Sequence, residues 1–181
     1  MTTRQLATLG ILTALIAALG YALASVPNVE LVALSSFVSG FVLGSRGGAF
    51  AGAAGMALYS VFNPLGLAPP AILTAQVAGA ALYGAAGGWL GPRVLSWLER
   101  PGFVVGTVAA GAIGAVLTAV YDLLTNVGVV VDIRAFADPW PIILGGMAFS
   151  VAHVGSNAAV FAGLLPAVLR AIDRRRGERL A

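Results

Sequence analysis

The chain has 181 residues, 59% of them hydrophobic and only 9% charged, with a net charge of +3. A soluble domain carries about 25% charged residues, so this chain has too little charge to coat a water-soluble globule. The same shortage of polar residues excludes disorder. What remains is an integral membrane protein of all-α class. At about 20 residues per crossing, the length allows roughly six spans with short loops.

Six apolar segments can be marked in chain order, and they predict a six-helix transmembrane bundle in one domain, residues 1–181. The first runs about Leu6–Val26 and the second, shorter, about Leu31–Leu43. The third runs about Gly48–Phe62 and the fourth about Pro70–Leu90. The fifth runs about Phe103–Leu124 and the sixth about Pro141–Leu169. Breaks fall where turn residues gather: Pro27-Asn28, the polar turn Ser45-Arg46-Gly47-Gly48, the loop framed by Asn63-Pro64 and Pro69-Pro70, and Gly91-Pro92-Arg93. The longest connection is Asn126 to Pro141. The start of the chain resembles a cleavable leader, with Arg4, an apolar run and Ala22-Leu23-Ala24-Ser25. That run is longer than the usual 7–15 apolar residues of a leader, so it is read as a helix.

All ten basic residues are arginine. An even number of spans puts both termini on one side, and every arginine except Arg134 falls there. Positive loops stay in the cytoplasm, which predicts cytoplasmic N- and C-termini and an outer face carrying Glu30, Asp132 and Asp138. The run from Arg170 to Arg179 is an anchor of this topology rather than a nucleic-acid tail. Trp89 and Trp97 suit the interfacial aromatic belt, as does Trp140.

Several chemistries are absent from the inventory. With no cysteine there is no disulfide, thiol nucleophile or thiolate metal site. One histidine and seven carboxylates argue against a His-rich metal centre. A phosphate-binding P-loop needs a lysine, and the chain has none, so any ATP hydrolysis belongs to another subunit. An intramembrane serine protease needs a G-x-S-G turn, but Ser39-Gly40 follows Phe37-Val38.

Polar residues at membrane depth cost about 2.5–3.5 kcal/mol each at mid-span for an acid, so they mark interior or aqueous faces. Thr118, Tyr121, Asp122 and Thr125 share one helical face, with Asn126 next. Ser150, His153 and Asn157 share another. Asn28 and Glu30 lie in the first connection, and Asn63 and Gln76 flank the third. Together Asn28, Asn63, Gln76, Tyr121, Asp122, Asn126, His153 and Asn157 are the candidate substrate-binding residues. Amides, one acid, one imidazole and aromatics suit a small molecule of mixed polarity. Asp122 and His153 also suit plain helix–helix hydrogen bonds, and Glu30 a solvated loop. An intramembrane enzyme centred on His153 and Asp122 is a rival reading, and a ligand-free assembly subunit is another.

Small residues recur every fourth position. Gly48 with Gly52, Ala51 with Gly55, and Gly84 with Gly88 suit packing within the chain. Gly10, Ala14, Ala18 and Ala22 form a stripe over four turns of the first segment, long enough to face a partner.

The assembled pattern resembles the substrate-binding S component of an energy-coupling factor (ECF) vitamin transporter. Five strings carry the resemblance: Val26-Pro-Asn-Val-Glu-Leu31, Gly44-Ser-Arg-Gly-Gly48, Ser60-Val-Phe-Asn-Pro64, Tyr121-Asp-Leu-Leu-Thr-Asn126 and His153-Val-Gly-Ser-Asn157. It implies a subunit that captures a vitamin-like micronutrient at the outer face of a prokaryotic cell membrane and is not itself an enzyme. It also implies a transmembrane coupling subunit, two cytoplasmic ATPases and no cofactor or metal in this chain. Members of that family present an Ala-x-x-x-Ala stripe on the first helix to the coupling subunit, a pattern that Ala14, Ala18 and Ala22 match. The resemblance places the pocket on the outer side and implies that the subunit topples in the membrane during transport.

Overall fold

The computed structural model describes residues 2–26, 28–63, 66–100 and 102–178. Pro27, Pro64 and Arg179, used above as breaks or as part of the basic run, lie outside the described residues. The described residues form five α-helices: α1 (Thr3–Leu23), α2 (Val32–Val61), α3 (Pro70–Glu99), α4 (Phe103–Asp132) and α5 (Trp140–Gly177). Of these α1, α3, α4 and α5 are long and apolar enough to cross a membrane. Their outward faces carry large apolar side chains such as Ile11, Val104, Val108, Val116, Leu144 and Val151, which water would penalise and lipid accepts. The chain is an all-helical membrane protein.

The six-helix bundle is corrected by this element count. The second and third predicted segments belong to one element, α2. Only Gly44 leaves helical geometry there, with φ 79°, a left-handed conformation that glycine adopts without steric cost. No polar loop is needed, so Ser45, Arg46, Gly47 and Gly48 are helical instead of forming the expected turn. The bend is sharp enough to fold α2 onto itself. A Cβ on Gly48 would lie 2.6 Å from the Gly40 nitrogen, whereas residues eight apart in a straight helix are about 12 Å apart.

Three predicted helix ends also move, the last of them from Leu169 to Gly177 at the end of α5. Gly91-Pro92-Arg93 does not stop α3, which continues to Glu99 with Pro92 inside it. Proline removes one backbone donor, but membrane helices tolerate that loss when neighbours satisfy the freed carbonyls. Likewise α4 continues through Asn126 to Asp132, so the long connection shortens to residues 133–139. Asp132 was expected in a loop. It ends α4, and its two carboxylate oxygens accept from the N–H groups of Ala71 and Ile72, each at 3.0 Å. That carboxylate caps the start of α3, where Pro69 and Pro70 offer no donor of their own. At the start of α1, Thr2 and Gln5 form a capping box, each side chain accepting from the other's backbone N–H.

The arms of α2 pack on α3 almost backbone to backbone. A Cβ on Gly84 would overlap the Gly48 carbonyl, one on Gly52 the Ala80 carbonyl, and one on Gly87 the Phe37 carbonyl. Such approach maximises van der Waals contact where no hydrophobic effect is available. Beside it sits the main core, Phe37, Leu98, Phe161, Leu165 and Leu169, in which the Phe37 and Phe161 rings meet edge to face at 5.5 Å. A second cluster, Leu9, Ile16, Ala51, Met56 and Ala80, ties α1 to α2 and α3. The opposite end of the bundle encloses open space.

Candidate functional site

At that end lies a cavity of about 610 Å³, within the usual range of small-molecule sites. The C-terminal end of α1 reaches it through Gly20 and Leu23, and the following connection through Asn28 and Glu30. Because α2 folds back at Gly44, both its ends arrive here: Val32 and Ala33 from one arm, Met56 and Tyr59 from the other. Gln76 and Tyr83 come from α3; Tyr121, Asp122, Thr125 and Asn126 from α4; Phe149, Ser150 and His153 from α5.

His153 is the hub. Its Nδ1 donates to Asp122 Oδ1 at 2.7 Å, and its Nε2 lies 3.8 Å from Glu30 Oε1. Asp122 was expected to need a partner, and His153 supplies one. Glu30 is pinned twice more: Oε2 accepts from the Ala33 N–H at 2.9 Å, and Oε1 from Asn157 Nδ2 at 3.3 Å. The first bond caps the opening turn of α2, where Leu31 has no capping side chain. Ser156 Oγ donates to the Asn28 carbonyl, so the α1–α2 connection is strapped to α5 at two points. Asn28 itself holds a left-handed backbone, φ 60°, which asparagine tolerates better than most residues.

Aromatic rings frame this triad. Tyr121 stands edge-on to His153 at 6.0 Å, and Tyr83 lies 6.1 Å from Tyr121. The Tyr83 hydroxyl is satisfied by Thr118 Oγ1 at 2.7 Å. Across the cavity, Ser60 Oγ donates to Gln76 Oε1 at 2.8 Å. Asp122 Oδ2 is buried and accepts no hydrogen bond among the described residues. No cluster of His, Asp and Glu among those residues has the arrangement for a metal ion.

Of the residues selected from sequence, Asn28, Asn63, Gln76, Tyr121, Asp122, Asn126 and His153 line this one cavity. Asn157 does not. It is fully buried behind Glu30, and holds that carboxylate rather than facing the cavity. Glu30 was placed among outer-face acids and left out of the candidate set, yet it lines the cavity. Tyr59 and Tyr83 were passed over. Tyr59 precedes Asn63 by one helical turn and Tyr83 follows Gln76 by two, so face periodicity from the two amides would have found both. Ala14, Ala18 and Ala22 lie together on the exposed side of α1, away from the cavity.

No protein-family model, no curated protein and no solved structure matches this chain.

Proposed function

We propose that this chain binds a small vitamin-like micronutrient and carries it across a prokaryotic cell membrane as the substrate-binding component of an ECF-type transporter. The observation that carries the reading is the cavity: polar groups from the α1–α2 connection and from α2, α3, α4 and α5 converge at one end of an otherwise apolar bundle. Grouping so many costly polar residues at membrane depth has a physical reason if they serve a ligand. In the binding reading His153 serves to hold the two carboxylates in place, with Nδ1 2.7 Å from Asp122 Oδ1 and Nε2 3.8 Å from Glu30 Oε1.

The remaining parts of the reading follow from the surface. Arg93, Arg100, Arg170 and Arg174–Arg176 lie on the halves of α3 and α5 away from the cavity. With that end cytoplasmic, the cavity opens outward. The exposed stripe Gly10, Ala14, Ala18 and Ala22 then offers the transmembrane coupling subunit a close helix contact, and two ATPase subunits beneath it supply the energy.

The test is to purify the protein from its native membrane, denature it, and identify released small molecules by mass spectrometry. One compound released in near-equimolar amount, and rebound by emptied protein, is the expected result. Protein that releases nothing and binds nothing from an extract of the source cells overturns the proposal.

A further inference from the structure

The charges around the cavity do not balance, and the imbalance has a sign. Glu30 and Asp122 contribute two carboxylates, and His153, held between them, contributes at most one positive charge. No arginine lines the cavity among the described residues. The Asp122 side chain is 9% exposed, and its Oδ2 accepts nothing. With His153 paired to Asp122, Glu30 leaves one negative charge unbalanced at the cavity, and the unmet acceptor on Asp122 adds a cost of its own.

Resting on the binding function proposed above, we infer that the ligand is recognised through a cationic nitrogen group, an ammonium, an amidinium or a protonated amino-heterocycle, seated against Asp122 and Glu30. The carboxylates carry this assignment because an ionised carboxylate only accepts. The amides of Asn28 and Asn126 can turn over to present either end, so they discriminate nothing. A carboxylate or phosphate on the ligand would bring a like charge to an already negative site, whereas an N–H cation neutralises it. Tyr59 and Tyr121 line the same cavity, and aromatic rings attract cations and stack on flat rings. The ligand class is therefore a small, flat, singly cationic molecule.

Three probes with one ring and three charges test this on the intact wild-type chain in detergent at neutral pH: benzamidine, benzamide and benzoate. Affinity is read from displacement of the co-purified compound and from the thermal-unfolding midpoint. Benzamidine is expected to bind at least about tenfold tighter than benzoate, with benzamide between them. Asp122→Asn is expected to remove that preference, as is Glu30→Gln, which keeps the proposal testable if one variant fails to fold. A preference for benzoate would mean that an acid of the triad is protonated; it would overturn the cationic ligand while leaving a small-molecule site intact. Equal binding of all three would also overturn it. No shift of the unfolding midpoint with any probe, in protein that carries no small molecule at all, would remove the binding function and this inference together.

Discussion

The two ends of the bundle solve opposite problems with the same five helices. At the bend of α2, side chains are nearly absent: Gly40, Gly48, Gly84, Gly87 and Gly88 let two backbones touch. At the other end, Tyr59, Tyr83, Tyr121 and Phe149 hold the helices apart around a cavity. Charge divides in the same way. The cavity end concentrates Glu30 and Asp122. At the bend, Arg176 Nη2 donates to the carbonyls of Phe41 and Val42, each at 3.2 Å, and its guanidinium stacks 4.9 Å from the Phe41 ring. Those carbonyls lie just before Gly44, where the interrupted helix cannot satisfy them all. The closed end thus fixes the angle between helices, and the open end uses that rigidity to position polar groups without a close-packed core behind every one.

The contrast breaks most completely at the glycines. Gly84→Ala places a Cβ into the Gly48 backbone, where no flexible side chain can yield, and is expected to cost about 3 kcal/mol or more. Gly10→Ala is the control: its Cβ meets nothing within 4 Å, so removing the glycine entropy cost gains up to about 1 kcal/mol. Thermal unfolding in detergent should separate the two variants by sign. If both lower the midpoint alike, the backbone contact is not what closes that end.

Ala18→Trp asks whether the exposed side of α1 belongs to either end. Nothing among the described residues covers it, so fold and ligand binding by the purified subunit should stay at wild-type levels while uptake by whole cells is lost. Loss of binding as well would place the stripe in the cavity's support instead of at a partner interface.

At the cavity, Asp122→Asn is expected to weaken ligand binding by roughly 5- to 150-fold while the chain still folds, the cost of about 1–3 kcal/mol for one polar contact left unmet. His153→Ala should act in the same direction because it removes the group between the two acids. Isothermal titration with the identified ligand measures both, and wild-type affinity in both would move the site toward Asn63 and Gln76. The smallest effect is expected from Asp132→Ala, which uncaps α3 at a cost of about 1 kcal/mol. It should lower the unfolding midpoint slightly and leave ligand affinity unchanged.

Much of the site was legible because polar residues in an apolar chain are conspicuous, and helical spacing groups them. Asp122 and His153 each stood on a polar face before their 2.7 Å contact was known. Glu30 was not legible in the same way. It precedes α2 by two positions, where sequence reads as loop, and only the Ala33 N–H, Asn157 and His153 draw it inward. Asn157 misled in the reverse direction: helical spacing puts it on the face of His153, but one further turn carries it behind Glu30. Among the elements, length and hydropathy located the four long helices. They failed at α2 because a glycine-rich polar string was weighed as a loop, although a single left-handed residue suffices to reverse direction when both arms are glycine-lined.

That reversal governs the parity of the whole chain. An odd number of straight antiparallel rods would leave the first and last residues at opposite ends of the molecule. Here α2 departs from the cavity and returns to it, so it contributes no net crossing. The other four then alternate: α1 arrives at the cavity, α3 leaves it, α4 arrives and α5 leaves. Thr3 and Gly177 therefore finish at the same end of the bundle, the one opposite the cavity.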